Sequence, residues 1–162
     1  MTEIGRGGIL VLLGVFLSVG AGSGVSTQRG ADTKSIEDAV LAVNAEMTKA
    51  GEAMDADRLF SYMLETDKGS VIQNGVLMAT RQEALERVRN NLGGISKIQY
   101  RWKRQYVTVL SSEVAVLAAE GESTATTNAG DTFTVPFAQT VVFVLRGGAW
   151  KAIHAHQSSL RR

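Results

Sequence analysis

Apolar and polar positions change period partway along this chain, from three or four residues to two. Ile36, Val40, Val43 and Met47 recur at helical spacing behind Ser35, which with Asp38 three residues on resembles a capping box, so a helix is predicted over residues 35–53. The stretch Met54-Asp55-Ala56-Asp57 breaks that pattern, and Leu59, Phe60, Met63 and Leu64 form a second, shorter apolar stripe. Two short extended pieces follow at residues 70–73 and 76–78, joined by Asn74-Gly75, which reads as a small hairpin. Thr80, with Glu83 at the capping-box position, opens a third helix whose apolar face is Ala84, Leu85, Val88 and Leu92, and Gly93-Gly94 ends it.

Downstream the pattern is that of strands. Runs at 98–110, 114–125, 133–145 and 150–157 are rich in Val, Thr, Tyr, Phe and Trp and are separated by short polar or glycine-bearing connections. Connections this short imply antiparallel neighbours. Strands of this length exceed the usual range, so a strongly bent sheet is expected, with bulges near Arg104 and Pro136. The predicted architecture is α+β: a cone-shaped roll in which N-terminal helices pack on the concave side of a strongly curved antiparallel sheet. Such a cone has an open mouth and an interior pocket suited to a ligand.

The N-terminus departs from this pattern. Residues 7–28 carry no charge, and Ile9 to Val19 form a compact apolar run behind Arg6, followed by Gly20-Ala21-Gly22-Ser23-Gly24. This is the layout of a signal peptide, and the run is short of the roughly twenty apolar residues that span a bilayer. The organisation expected is therefore a signal peptide at 1–24, a flexible leader at 25–32 and a domain at 33–159. The mature chain would be exported to the periplasm or the medium, touching membrane through its N-terminal segment only if that segment stays uncleaved.

Composition narrows the function classes. A net charge of +1, from 17 Lys plus Arg against 16 Asp plus Glu, offers no basic field for a nucleic-acid backbone, and nucleic acid is not expected as a partner. The absence of Cys excludes disulfides, thiolate metal sites and cysteine nucleophiles. No phosphate loop, nucleophile elbow or metalloprotease helix is present, and no cofactor is expected.

Four groups of residues carry candidate chemistry. With unbroken alternation along the last strand, Trp150, Ala152, His154 and His156 share one face. Assigned to the cone interior, His154 and His156 would form a pair for acid/base catalysis near neutral pH; the plainer readings are ligand hydrogen bonding or a structural pair at the mouth. Two imidazoles are too few for a metal unless a carboxylate joins them. Glu120, where the row Val114-Val116-Ala118 turns acidic, is the candidate, although such a Glu more often ends the buried part of a strand, and no metal site is expected. Tyr100, Trp102, Arg104 and Tyr106 also alternate. If they face inward, Arg104 would anchor an anionic oxygen or, more commonly, pair with Glu120 inside the cone. Tyr62 flanks the second helical stripe and would present its phenol to the pocket, or lie in the core with its hydroxyl at the edge.

Taken in order, these residues resemble the SnoaL-like and ketosteroid-isomerase-like members of the nuclear transport factor 2-like superfamily. The resemblance covers about residues 34–159 and rests on Asp57-Arg58-Leu59-Phe60, Arg81-Gln82-Glu83-Ala84-Leu85, Glu113-Val114-Ala115-Val116 and the ending Trp150-Lys151-Ala152-Ile153-His154-Ala155-His156-Gln157-Ser158. It implies a conical α+β roll, frequent dimerisation through the sheet, and a pocket used for isomerisation, cyclisation, hydrolysis or plain binding. The expectation is an interior pocket for a small, largely apolar molecule, with acid/base chemistry by the His pair; the alternative is a non-catalytic ligand-binding or homodimerisation module. The helical tyrosine of the isomerase-like relatives has a counterpart in Tyr62, but their strand carboxylates have none that matches.

Overall fold

The computed structural model describes residues 24–159. The predicted signal segment lies almost wholly outside the described residues. Three helices, α1 (Gly24–Glu52), α2 (Ala56–Ser61) and α3 (Arg81–Leu92), accompany six strands. The strands are β1 (Val71–Gln73), β2 (Val76–Met78), β3 (Ile95–Ser111), β4 (Val114–Thr127), β5 (Thr132–Arg146) and β6 (Ala149–Ser159). They form one sheet in the order β2-β1-β6-β5-β4-β3. All neighbours are antiparallel except β1 and β6, which run parallel. The helices pack on the concave face of this curved, unclosed sheet, the predicted α+β roll. Among the described residues no helix is long and apolar enough to cross a membrane.

Local chemistry fixes most of the boundaries. Asp55 caps α2 by accepting from the Arg58 amide at 2.9 Å, and the Thr80 hydroxyl accepts from the Glu83 amide at 3.0 Å to start α3. Glu83 reaches back to the Ala79 amide at 2.8 Å, completing a reciprocal cap one residue earlier than a standard box. Asn74 (φ 50°) and Gly75 (φ 81°) both take the left-handed conformation that a two-residue hairpin turn needs. The N-terminal boundary differs from expectation. Helix α1 begins at Gly24, so the segment read as a flexible leader is helical and Ser35 lies inside the helix instead of capping it. No proline interrupts residues 24–35, so nothing in the backbone forces a stop there.

The core lies between helices and sheet. Val40, Phe60, Met78, Leu85, Leu117, Val141 and Phe143 are all buried in one cluster. Strand β6 is stapled to the helical layer: Leu64 donates its amide to the Ala152 carbonyl at 2.8 Å, and Ala152 donates to the Tyr62 carbonyl at 2.9 Å.

Two irregularities decide which residues face the interior. On β3 the register with β4 jumps between Trp102↔Gly121 and Arg104↔Glu120, leaving Lys103 without a partner. On β6 the register with β5 jumps between Phe143↔Ala152 and Val142↔His154, leaving Ile153 without one. Each extra residue reverses the alternation beyond it. The bulge expected near Arg104 is thus present. At Pro136 there is none, and the β4–β5 register runs unbroken from Val114↔Val144 to Thr126↔Thr132. Pro136 lies one residue past the last β5–β6 pair, Phe137↔Ser159, so it has no neighbour on that side to disturb.

Candidate ligand cavity

A cavity of about 390 Å³ opens between the helices and the concave sheet face. Helix α1 supplies Asn44, Met47, Thr48 and Gly51, the i, i+3, i+4 and i+7 positions of one helical face. Leu59, Phe60 and Met63 close one side, with Val88, Asn91 and Leu92 of α3 beside them. From the sheet come an aromatic group, Tyr100, Trp102, Phe133 and Phe137, and a polar group, Gln73, Ser123, Gln139 and Gln157.

The aromatic wall is held from both sides. Phe137 meets Trp102 edge-on at 5.2 Å between ring centroids and Tyr100 at 6.0 Å. The Trp102 indole donates to the Thr48 hydroxyl at 3.1 Å, and that hydroxyl donates to the Asn44 carbonyl at 2.8 Å. Tyr100 fits against α1 because residue 51 is glycine: a Cβ there would stand 3.2 Å from the ring. Burial, and secondarily the Glu52 carboxylate, push the Tyr100 phenol above its ordinary value.

The polar wall follows one register row of the sheet. Gln105 pairs with Ala119, Ala119 with Gln139, Gln139 with Gln157 and Gln157 with Gln73, so four glutamines and one alanine cross five adjacent strands. Gln73 donates its amide to the Gln157 side-chain oxygen at 2.6 Å, and buried Asn44 donates to the Gln105 side-chain oxygen at 2.9 Å.

The residues singled out in the sequence fall on different faces. Trp102 lines the cavity. Trp150 packs, half-buried, against the core without reaching the cavity. Tyr62 does not reach it either: its ring lies under the Lys151 ammonium at 5.7 Å, and Lys151 donates to the Ser61 carbonyl at 2.8 Å. The bulges reverse the remaining assignments. Beyond Lys103, Arg104 and Tyr106 turn to the outer sheet face. Beyond Ile153, so do His154 and His156, while Ala155 and Gln157, which unbroken alternation puts on the face opposite the interior, turn inward. The His154 Nδ1 donates to the Gly69 carbonyl at 2.7 Å, tying β6 to the loop before β1.

Arg104, Glu120 and His156 meet on that outer face, in an open depression of about 480 Å³. Arg104 pairs with Glu120 at 2.8 Å, as expected, but outside the cone. The Arg104 hydrogen bond holds the Glu120 carboxyl below the usual carboxylate range. Both groups are well solvated, so the pair contributes little to stability. Among the described residues no three His, Asp or Glu side chains converge on a point.

Sequence reasoning missed Gln139 and Gln157 as wall residues, and it gave Tyr100 a place in the inward row but no role. The signal for Gln139 was present: Phe137, Val141 and Phe143 alternate as an apolar row, and the single amide set among them is costly unless it meets a partner or a ligand.

The profile of the SnoaL-like domain family matches residues 40–161. The chain belongs to that family. No curated protein is significantly similar to it. Among solved structures, the SnoaL-like chain is similar to a candidate dehydratase of the nuclear transport factor 2-like family from Streptomyces avermitilis. The TM-score is 0.70 at 18% identity, over 80% of this chain and 99% of the other. It is also similar to a nuclear transport factor 2-like superfamily protein from Salmonella enterica, with TM-score 0.68 at 14% identity over 83% and 94%. A ketosteroid isomerase-like protein from Erwinia carotovora atroseptica gives TM-score 0.65 at 17% identity over 77% and 96%. At such identities the likeness is one of fold.

Proposed function

We propose that this SnoaL-like domain is a binding module for a small uncharged molecule with an apolar body, held in the cone interior without acid/base turnover by the histidines. One observation carries the reading: among the described residues that line the cavity there is no Asp, Glu, His, Lys or Arg, and Tyr100 is the sole ionisable side chain. With its phenol raised by burial, Tyr100 stays protonated at neutral pH; it can donate a hydrogen bond but cannot act as a general base. A charged ligand would enter a site with no counter-charge, at a desolvation cost nothing there offsets. The relatives whose names record isomerase- and dehydratase-like chemistry support a pocket-bearing fold, and it is this chain's own wall that favours binding.

The test is titration of the full chain with 2-acetylnaphthalene and with 2-naphthoate, read by tryptophan fluorescence between pH 6 and 8. Saturable binding of the neutral ketone, unchanged across that range, is expected, with the anion at least about tenfold weaker. Preference for the anion, or no saturable binding of either, overturns the reading.

The outer face favours a second copy of the chain as partner, because Tyr106 of β3 remains 62% exposed there. Tyr106→Glu should convert a dimer to monomer in sedimentation. Export is proposed from the N-terminal pattern alone, which lies outside the described residues; loss of an N-terminal segment of the chain recovered outside the cytoplasm would support it.

A further inference from the structure

Resting on the binding reading above, we infer that the glutamine row selects a ligand bearing a primary or secondary carboxamide, or another neutral group with hydrogen-bond donor and acceptor on one edge. Gln139, Gln157 and Gln73 occupy consecutive register positions on β5, β6 and β1, and all three line the cavity. Their mutual bonding is incomplete. The bond from Gln73 Nε2 to Gln157 Oε1 uses one donor and one acceptor, leaving the Gln157 amide N–H groups and the Gln73 carbonyl oxygen. The Gln139 carboxamide has no protein hydrogen-bond partner among the described residues. The wall therefore presents N–H donors and C=O acceptors side by side, facing the aromatic group Tyr100, Trp102, Phe133 and Phe137 in a cavity whose other polar side chains are Asn44, Thr48, Asn91 and Ser123.

A ligand matching that wall must both accept and donate along one edge. A ketone or ether satisfies the donors alone and leaves the carbonyl oxygens facing apolar surface. A carboxylate satisfies the same donors but brings an uncompensated charge beside those oxygens. An amide satisfies both sets and remains neutral. Its apolar body would lie toward Phe137 and Trp102, one step along the sheet from the glutamine row, since Phe137 precedes Gln139 by two residues on the same strand face.

The experiment compares three near-isosteric probes on the full chain by tryptophan fluorescence and calorimetry: 2-naphthamide, 2-acetylnaphthalene and 2-naphthoate. The expected order places 2-naphthamide about tenfold tighter than the ketone. Gln139→Leu, which orphans no protein partner, should weaken 2-naphthamide more than the ketone and so narrow that difference, and an unchanged difference would take Gln139 out of the amide contact. Equal binding of amide and ketone to the wild-type chain overturns the amide inference and leaves the neutral-ligand reading standing. If neither neutral probe binds, or the carboxylate binds tightest, both fail. The wild-type comparison needs no variant, so instability of Gln139→Leu would not obscure the result.

Discussion

Gly121 of β4 is where this domain is most exposed to a single methyl group. A Cβ built at that position would stand 2.6 Å from the Arg101 carbonyl oxygen and 3.2 Å from the Trp102 Cα. Both neighbours are backbone, so no side chain can rotate away. To bring the first contact to 3.0 Å, β3 must move from β4 by about 0.4 Å at the residue that pairs with Trp102. Overpacking that forces backbone movement costs about 1–3 kcal/mol, and two backbone contacts place Gly121→Ala near about 2–3. At ~4 °C per kcal/mol for a domain of this size, Tm should fall by ~8–12 °C. Gly94→Ala is the matched control: a Cβ there meets nothing within 4 Å and the φ is not left-handed, so its Tm should stay within about 2 °C or rise slightly. Differential scanning calorimetry of both variants decides the matter. Indistinguishable Tm values with unchanged tryptophan emission would refute the claim that β3 approaches Gly121 too closely for a side chain. Intact stability with a shifted tryptophan emission would show instead that the bulge had relaxed without cost.

Other expected outcomes follow from the same geometry. His156→Ala, on the outer face, should leave affinity for a neutral cavity probe within about twofold by fluorescence titration; a larger loss would return the histidine to the site. Phe143→Ala, at a fully buried position, should cost about 3–5 kcal/mol in urea unfolding, whereas a cost under about 1 would contradict the assigned core. Tyr100 has its folded pKa raised, so the stability linked to it is present below the unfolded value near 10 and is lost as pH rises through the folded value. In an ultraviolet pH titration one of the three tyrosines should ionise late, and Tyr100→Phe should remove that late component.

The fold was largely legible because its signals are local. Asn74-Gly75, the Thr80/Glu83 cap and the short connections between long β-rich runs each dictate a backbone geometry without help from distant residues. The site was less legible because facing depends on counting. Strict period-two alternation through Trp102-Lys103-Arg104 and Ala152-Ile153-His154 requires regular strands, and one extra residue in each sends everything beyond it to the other side. Strand length points to a bulge near Arg104 but does not say whether Arg104 lies before or after it, and that decides the face of its side chain. Gly121, a lone glycine inside a strand, was the marker that would have located the first bulge. Nothing comparable marks Ile153, whose position is set by the need to keep both Ala152 and Ala155 against the interior. Helix α1 was predicted too short because Ser35 and Asp38 imitate a cap that the continuing helix does not use; Asp38 pairs with Lys34 instead.

The parallel junction of β1 with β6 also governs how the domain comes into being. Gln73 bonds Gln157 across 84 positions of sequence, and Asn74 accepts from both the backbone and the hydroxyl of Ser159. A chain emerging from the ribosome can wind its helices and form the β3–β4–β5 meander, but the β1–β2 hairpin has no neighbour in the sheet until the last strand has been synthesised. Closure of the cavity therefore waits for β6, and a molecule that binds only the completed state would act as a late clamp on folding.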